Sequence, residues 1–267
     1  MGLDRSAAVL PRLDVVRSTG STNADLVAAA AGLPHLATRA TLDQTAGRGR
    51  LGRTWLAPPG RTLAVSLLLD VRPSGAVPLP PAALGWVPLL AGVALAEAVA
   101  PLVPGADVAV KWPNDVLLGG EKACGLLAEV TPGGALVVGA GVDLVLTRDE
   151  LPTPTSTSLA LHGATGSAEE LADRVLASWA PRLDGLVREL SRAGGDARAA
   201  GLLELVTRRC GTLGRAVEVH LPDGSRVRGE ARALVDDGRL VVAVGTPARD
   251  LVVGSGDVVH LRHRAGS

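Results

Sequence analysis

Apolar runs separated by polar turns extend along most of the chain, and their lengths and spacing predict its strands and helices. Short apolar or alternating runs predict strands at Leu13–Arg17, Ala37–Asp43, Thr62–Leu69, Val108–Trp112, Val116–Leu118, Lys122–Val130 and Ala135–Leu146. Longer apolar or helically periodic runs predict helices at Ala24–Ala31, Pro81–Val103, Glu169–Arg192 and Ala197–Arg209. A proline-rich connection is predicted at Arg72–Pro81, and a turn at Pro113–Asp115.

The pattern changes after Cys210, where short strands follow one another closely. Turn residues such as Asp236-Asp237-Gly238 separate these strands, a spacing that is typical of a small β-barrel. The strands are predicted at Ala216–Leu221, Arg226–Val235, Arg239–Ala243, Asp250–Val253 and Val258–Arg262. We therefore predict two domains, residues 1–209 and residues 210–267.

Composition is that of a soluble globular protein with a core of small aliphatic side chains. The chain has 267 residues, of which 47% are hydrophobic, with no Phe or Tyr and four Trp. Lysine plus arginine balance aspartate plus glutamate at 27 each, which argues against a chain-wide surface for nucleic acid or anionic membranes. Gly85, Pro88 and Glu97 interrupt the apolar stretch Ala82–Val103, so we expect a buried helix there. Met1–Arg5 does not resemble a signal peptide, and a cytoplasmic location is expected.

Three polar residues, Ser21, Thr22 and Asn23, precede the alanine-rich helix. Capping explains one of them, and Thr22 with Asp25 has the spacing of a capping box. Because capping needs a single side chain, the other two are candidates for binding a ligand.

The segment Gly47–Trp55 combines glycines, arginines and a tryptophan without an acidic residue. Glycines allow the backbone to approach a ligand, and guanidinium groups suit carboxylates and phosphates. The segment is therefore a candidate anion-binding loop, although a surface turn or a nucleic-acid contact has the same composition. Lys111–Asp115 and Lys122 add cations, an amide and a carboxylate at predicted strand ends. Alone, such a lysine is more often a solvated residue, and such an aspartate more often a structural acceptor.

Taken together and in this order, these segments resemble the biotin protein ligases. The resemblance covers most of the chain, and the Gly/Arg segment with its tryptophan carries most of the specificity. The matching segments are Ser21–Asn23, Gln44 with Gly47–Trp55, Lys111–Asp115, Lys122–Glu129 and Val138–Asp143.

The resemblance implies an α+β fold, with a mixed central sheet and flanking helices as in class II synthetase-like cores, and an SH3-like C-terminal barrel. It also implies a reaction in two steps. Biotin and ATP, with Mg²⁺, form biotinyl-5′-AMP and pyrophosphate. A lysine of a biotin carboxyl carrier domain of an acyl-CoA carboxylase, such as acetyl-CoA carboxylase, then attacks the mixed anhydride and releases AMP. A homodimer is possible within the family.

Roles follow residue by residue from the same resemblance. The catalytic candidates are Lys122, Arg48 and Asp115, and no protein ligand to a metal is assigned. The biotin site would comprise Ser21, Thr22, Asn23, Gln44, Gly47, Arg48, Gly49, Arg50, Lys122, Gly125 and Gly141. The nucleotide site would comprise Arg50, Arg53, Trp55, Lys111, Asn114 and Asp143. We also expect Arg48–Trp55 to become ordered when ligand binds, which would keep water from the anhydride.

Two departures and two alternatives qualify this prediction. Asp143 stands where the family usually has Asn, so one donated hydrogen bond to adenine is in doubt. Only about twenty residues precede Ser21, too few for a helix-turn-helix, so no operator binding is predicted. A lipoate or octanoate ligase has related chemistry but favours an apolar tunnel over polar ring contacts. A nucleic-acid module fits the Gly/Arg segment but lacks Phe and Tyr stacking platforms.

Overall fold

A computed structural model describes residues 2–55, 57–70, 79–221, 223–254 and 256–261. Its helices are α1 (Asp4–Val9), α2 (Thr22–Ala29), α3 (Trp86–Val99), α4 (Ala168–Arg192) and α5 (Leu202–Arg209). The strands before α4 are β1 (Leu13–Val15), β2 (Thr38–Thr41), β3 (Gly47–Arg48), β4 (Thr54–Trp55), β5 (Thr62–Leu69), β6 (Val108–Lys111), β7 (Asp115–Leu118), β8 (Glu121–Val130) and β9 (Leu136–Asp143). The strands after α5 are β10 (Ala216–His220), β11 (Arg226–Leu234), β12 (Leu240–Val244), β13 (Arg249–Val253) and β14 (Asp257–His260).

A seven-stranded mixed sheet forms the centre of the molecule, in the order β1-β2-β5-β9-β8-β7-β6. Only β1 and β2 pair in parallel among these neighbours, and every other pair is antiparallel. Helices α3 and α4 pack on one face, while α2 covers part of the other. The predicted α+β fold with a mixed central sheet is confirmed.

Helix α3 is the apolar helix predicted within Pro81–Val103, and it forms the centre of the core. A 3₁₀ turn, Pro81–Gly85, precedes it, so the regular α-helix has 14 residues and is about 21 Å long. The wider stretch Pro81–Leu102 is apolar and long enough to cross a membrane, yet 72% of an apolar 18-residue part of it is buried inside the protein. This burial between the sheet and α4 is what its alanine, valine and leucine side chains require.

The predicted capping box at the start of α2 is wrong. Ser21 is the cap, and its Oγ accepts a hydrogen bond from the Ala24 backbone N–H at 3.3 Å. Asp25 is engaged elsewhere, because its carboxylate lies 2.8 Å from Arg39 Nε. Thr22 is therefore free of the capping role that its spacing indicated.

Two other elements differ from the predicted ones for local reasons. Helix α5 begins at Leu202 rather than Ala197, because Gly201 has a left-handed backbone (φ 70°) that ends the preceding turn. The residues predicted as an anion-binding loop form a small hairpin, in which Gly47 pairs with Trp55 and Arg48 with Thr54. The predicted connection Arg72–Pro81 lies mostly outside the described residues.

The predicted small C-terminal barrel is present as a five-stranded antiparallel sheet, β13-β12-β11-β10-β14. Its Asp236–Gly238 turn accepts hydrogen bonds from two buried tryptophans of the larger unit: Trp86 Nε1 donates to Asp236 O at 2.7 Å, and Trp112 Nε1 to Gly238 O at 3.0 Å. One continuous cluster of buried apolar residues includes residues of both sheets, while Leu68 and Val137 belong to a smaller cluster under α2. The division at residue 210 stays a prediction, as does the end of the last strand at Arg262, which is outside the described residues.

Candidate active site

A polar pocket lies where the first turn of α2 meets the buried strand β5. Ser66 is fully buried among apolar neighbours on β5, and its Oγ lies 2.8 Å from Thr22 Oγ1 and 2.5 Å from Asn23 Oδ1. The Asn23 Nδ2 group donates to Leu127 O at 3.2 Å and to Glu129 Oε2 at 2.9 Å. These partners fix which way the Asn23 amide faces, so it keeps acceptor capacity at Oδ1 for a ligand.

Gln44 closes this pocket from the side of the hairpin. Its Oε1 accepts a hydrogen bond from the Thr22 backbone N–H at 2.9 Å, which leaves the amide Nε2 as a donor. Gly47 lies against the same side chain, and a Cβ built on it would be 2.4 Å from Gln44 Nε2 and 2.2 Å from Trp55 O. Only glycine therefore allows the hairpin to close this tightly on Gln44.

The Gly/Arg hairpin contacts the sheet through two of its arginines. Arg48 NH2 donates to Glu129 Oε2 at 3.3 Å, and Arg50 NH1 donates to Asn114 Oδ1 at 3.2 Å. Asn114 is itself fixed, because its Nδ2 donates to Leu126 O at 2.7 Å. The hairpin thus lies over the sheet with cationic groups along the cavity.

Trp55 lies flat on a pair of glycines that face each other across β8 and β9, Gly125 and Gly141. A Cβ on Gly141 would come within 2.5 Å of Trp55 Cε2, so the ring can lie this close to the sheet only because the position is glycine. The Trp55 Nε1–H is buried without a hydrogen-bond partner, which leaves a donor at the cavity wall.

Lys122 reaches the same face through an irregularity in the sheet. Val116 pairs with Cys124 but Leu117 pairs with Lys122, so Ala123 forms a bulge between them. A bulge reverses the side-chain alternation, and Lys122 therefore points to the same side as Gly125. The segment after residue 152 supports this position, since Lys122 N donates to Thr155 O and Lys122 O accepts from Thr157 N, both at 2.8 Å.

The Lys122 ammonium lies between a carboxylate and an aromatic ring. Its Nζ is 2.7 Å from Asp115 Oδ1 and 5.6 Å from the centre of the Trp55 ring. Lys111 Nζ lies farther from the same carboxylate, 3.9 Å from Oδ2. Asp115 was predicted in a turn, but it is the first residue of β7 and is buried, and it pairs with Gly125. The turn therefore ends one residue earlier than predicted, because Asp115 already pairs with Gly125 of β8.

Asp143 is buried at the end of β9 beside this charged group. Burial raises the pKa of its carboxyl to about 7, and the nearby positive charge of Lys122 opposes part of the shift. About half of the side chains are therefore protonated at pH 7. The protonated form both donates and accepts, as the amide of the family's usual Asn does.

Replacing Asp143 by Asn is expected to stabilise the protein at high pH only. Because the folded pKa is raised, the stabilising contribution is present below about pH 4 and is lost as the pH rises through about 7. The variant lacks this loss. At about pH 8 its free energy of unfolding should therefore exceed the parent's by up to a few kcal/mol, which appears as a higher thermal midpoint. At about pH 5 the two midpoints should differ less. Asp149→Asn, at an exposed position, is the control. An equal difference at both pH values would contradict the assignment.

Most of the predicted site residues line one cavity. They are Ser21, Thr22, Asn23, Gln44, Arg48, Gly49, Arg50, Arg53, Trp55, Asn114, Asp115, Lys122, Gly125 and Gly141. Within the described part of the chain, the lining does not include three predicted residues: Gly47, which is buried against Gln44 and Trp55, Lys111 and Asp143.

Sequence reasoning missed several residues of the site. For Ser66 the one signal in the sequence is that it is the only polar residue of Thr62–Leu69 after Thr62. For Glu129 the one signal is an acidic residue near the end of an apolar strand. Gly256, which directly precedes β14, also lines the cavity, and nothing in its local sequence indicated this.

Comparison with known proteins agrees with the geometry. Residues 14–143 match the model of the Biotin/lipoate A/B protein ligase family. The chain is 39% identical over 259 residues to the biotin–acetyl-CoA-carboxylase ligase of Mycobacterium tuberculosis, covering 94% of this chain and 90% of that protein. It is 38% identical over 207 residues to the enzyme of the same name from Paracoccus denitrificans, covering 73% and 83% respectively.

Among solved structures, the fold is similar to that of the biotin protein ligase from Aquifex aeolicus in complex with biotin and ATP. The TM-score is 0.71 at 23% sequence identity, and the match covers 94% of this chain and all of that one. The extent of the identity with the mycobacterial relative, together with this fold, shows that the chain belongs to the biotin protein ligases.

Proposed function

We propose that this chain activates biotin with ATP and transfers it to acetyl-CoA carboxylase. Two bacterial relatives are named biotin–acetyl-CoA-carboxylase ligase, and the similar Aquifex aeolicus structure is a complex with biotin and ATP. In the first step a biotin carboxylate oxygen attacks the α-phosphorus of ATP, and the bond to the β-phosphate breaks to release pyrophosphate. In the second step a lysine amine of the carboxylase attacks the acyl carbon, the bond to the AMP oxygen breaks, and the amine loses a proton.

The observation that carries this proposal is the position of the Lys122 ammonium on the cavity wall between the polar pocket and the Gly/Arg hairpin. The first step brings a carboxylate towards a polyphosphate, so repulsion between like charges opposes it. A fixed cation at the meeting point lowers this repulsion without moving during the reaction. Asp115 would position Lys122, and Arg48 would add positive charge from the hairpin.

The polar pocket suits the ureido ring of biotin. Such a ring presents one carbonyl acceptor and two N–H donors. The Ser21 hydroxyl and Gln44 Nε2 can donate to the carbonyl, while Asn23 Oδ1 can accept from an N–H, given the contacts that already occupy these side chains. An acyl chain of lipoate or octanoate offers no group that would satisfy these donors, and their burial without a partner would be costly.

The nucleotide would lie beneath the hairpin. Its phosphates would meet Arg50 and Arg53, and Trp55 would contribute a flat surface and its buried Nε1–H. Asn114 would hold Arg50 in place. Lys111 and Asp143 would act from behind the cavity wall, through their proximity to Asp115 and Lys122 respectively.

Mg²⁺ fits this site only as a partner of the substrate. No group of three His, Cys, Asp or Glu side chains among the described residues is arranged to hold a metal ion. Mg²⁺ commonly keeps several waters and binds one or two carboxylates together with substrate phosphates. We propose that it enters with ATP, where it would neutralise phosphate charge, and that Asp115 is the carboxylate closest to it.

Several further properties belong to the proposal. The hairpin would close over the intermediate and exclude water, so protease cleavage within Arg48–Trp55 should slow when biotin and ATP are present. The immediate acceptor would be a lysine of a biotin carboxyl carrier domain. We propose a cytoplasmic enzyme that binds neither DNA nor membranes, which its neutral net charge supports. Residues 1–209 would catalyse the reaction, 210–267 would complete the cavity through Gly256, and a homodimer is compatible with this role.

Exchange of labelled pyrophosphate into ATP tests the proposed function. Biotin should support exchange, and lipoate should support it at least about a hundredfold less well, because the pocket's donors would be left unpaired. A parallel reaction without an acid gives the background. Exchange that is supported by lipoate but not by biotin would refute the proposal in favour of a lipoate ligase.

A further inference from the structure

Glu129 joins the two halves of the site through a single oxygen atom. Its Oε2 accepts a hydrogen bond from Asn23 Nδ2 at 2.9 Å and another from Arg48 NH2 at 3.3 Å. We infer that Glu129 is a positioning residue that couples closure of the Gly/Arg hairpin to recognition of the biotin ring. This inference rests on the proposed function, because it assigns Asn23 to the ring and Arg48 to the closed hairpin.

The first arm of this coupling orients the Asn23 amide. Asn23 is buried, and both hydrogens of its Nδ2 are directed at acceptors, Leu127 O and Glu129 Oε2. Its Oδ1 is already paired with Ser66 and has one lone pair left for a ligand. If the amide turned over, its oxygen would face two acceptors, so a charged acceptor at Glu129 strongly favours the observed orientation. Without Glu129, the orientation would depend on Ser66 and Leu127 alone.

The second arm holds the hairpin down. The Arg48 side chain is 48% exposed and that of Glu129 is 29% exposed, so the ion pair is screened by solvent. Such pairs stabilise by no more than about 1 kcal/mol. A contact of this strength suits a lid that must also open to admit substrates and release AMP, because it adjusts the closed fraction without locking it.

A shared acceptor makes the two arms depend on each other. When the hairpin closes, the Arg48 charge approaches Oε2 and holds Glu129 in the position that Asn23 needs. When a ring engages Asn23 Oδ1, the amide is fixed and Glu129 stays where Arg48 can reach it. By reciprocity, biotin binding should favour closure by the factor by which closure favours biotin binding.

Two substitutions separate the arms. Glu129→Ala removes the acceptor from both, so the KM for biotin should rise roughly tenfold, and biotinyl-AMP should escape about three- to fivefold faster. Glu129→Gln keeps a neutral acceptor for Asn23 but removes the charge that attracts Arg48. For this variant, KM should stay within about threefold of the parent, while escape accelerates as in Glu129→Ala.

The experiment uses the full chain, pyrophosphate exchange for the KM of biotin, and the rate at which preformed biotinyl-AMP leaves the protein. Escape is measured at low and high salt, because an exposed ion pair weakens as ionic strength rises. Glu121→Gln is the matched control. Glu121 begins the same strand, its side chain is also 29% exposed, and it pairs with Arg148 at 3.2 Å away from the cavity lining. It should leave KM and escape unchanged.

Escape from the parent should accelerate with salt, and escape from Glu129→Gln should lose most of this dependence. The inference is overturned if Glu129→Ala leaves KM unchanged, or if Glu129→Gln releases the intermediate as slowly and with the same salt dependence as the parent. Absence of biotin-dependent exchange in the parent would instead refute the proposed function. Exchange in the parent with unaltered Glu129 variants would refute the coupling alone.

Discussion

Lys122→Ala is expected to slow biotin-dependent pyrophosphate exchange by about two to three orders of magnitude, the effect typical of removing one preorganised charge from an active site. The ammonium lies 2.7 Å from Asp115, and its residue is positioned by a bulge and by hydrogen bonds to the backbone of Thr155 and Thr157. Its loss should lower kcat more than it raises the KM for biotin, because repulsion between the reacting anions is greatest in the transition state.

Lys111→Ala is the contrasting variant, since Lys111 is the only other lysine in the sequence. Its ammonium lies 3.9 Å from the same carboxylate but is not on the described cavity lining. We expect a loss of about tenfold or less, which a screened and more distant charge would produce. Circular dichroism and thermal melts check that both variants are folded. Similar losses in the two variants would show that Lys122 has no special place in the first step.

Gly47→Ala is expected to let biotinyl-AMP escape and to raise the KM for biotin, each by about fivefold to a hundredfold. The added methyl would lie 2.2 Å from Trp55 O and 2.4 Å from Gln44 Nε2. Either the hairpin opens or the Gln44 amide moves away from Thr22, and overpacking of this kind costs about 1–3 kcal/mol. Because the hairpin is peripheral to the core, the thermal midpoint should change little.

Gly49→Ala adds the same methyl to the same hairpin. At this position the nearest atom would be Arg53 Cβ at 3.4 Å, an ordinary contact. Escape of the intermediate and the KM for biotin should therefore stay within about threefold of the parent values. If Gly49→Ala raised KM and escape as much as Gly47→Ala, the effect of both variants would come from the loss of glycine flexibility. The close packing of Gly47 on Gln44 would then not be the cause.

The sequence was sufficient for the elements whose signal is local. Thr62–Leu69 is an apolar run, interrupted only by Ser66 after its first residue and ended by Asp70, and the strand has the predicted bounds. The long helix predicted at Glu169–Arg192 begins one residue earlier, at Ala168, where Ser167 and Glu170 form a capping box. Both outcomes follow from burial patterns that depend on neighbouring residues and little else.

The missed features depend on contacts between distant segments. The bulge that turns Lys122 towards the cavity arises from register against β7, which periodicity along β8 does not report. Ser66 and Glu129 matter because Asn23 lies against both, more than forty residues away in the chain. Gly256 lines the cavity from the C-terminal unit, whose Asp236–Gly238 turn is hydrogen-bonded to Trp86 and Trp112.

The roles that the resemblance assigned to individual residues remain proposals, although their positions are now defined. The cavity gathers the candidates from α2, the hairpin, β7, β8 and β9 around Lys122. Lys111 and Asp143 lie behind this lining, so their effects on the nucleotide would be indirect. Asp143 differs most from its expectation, because burial raises the pKa of its carboxyl to about 7 and about half of the side chains carry a donating proton at pH 7.

A chase without ATP tests the central claim most directly, which is that this cavity makes biotinyl-AMP and holds it for a lysine amine. The protein is incubated with biotin and ATP, freed of small molecules by gel filtration, and mixed with a carrier domain of acetyl-CoA carboxylase. The account predicts that biotinyl-AMP travels with the protein and that the carrier lysine is biotinylated in a single turnover. Transfer that requires fresh ATP, or a protein fraction without biotinyl-AMP, would contradict it.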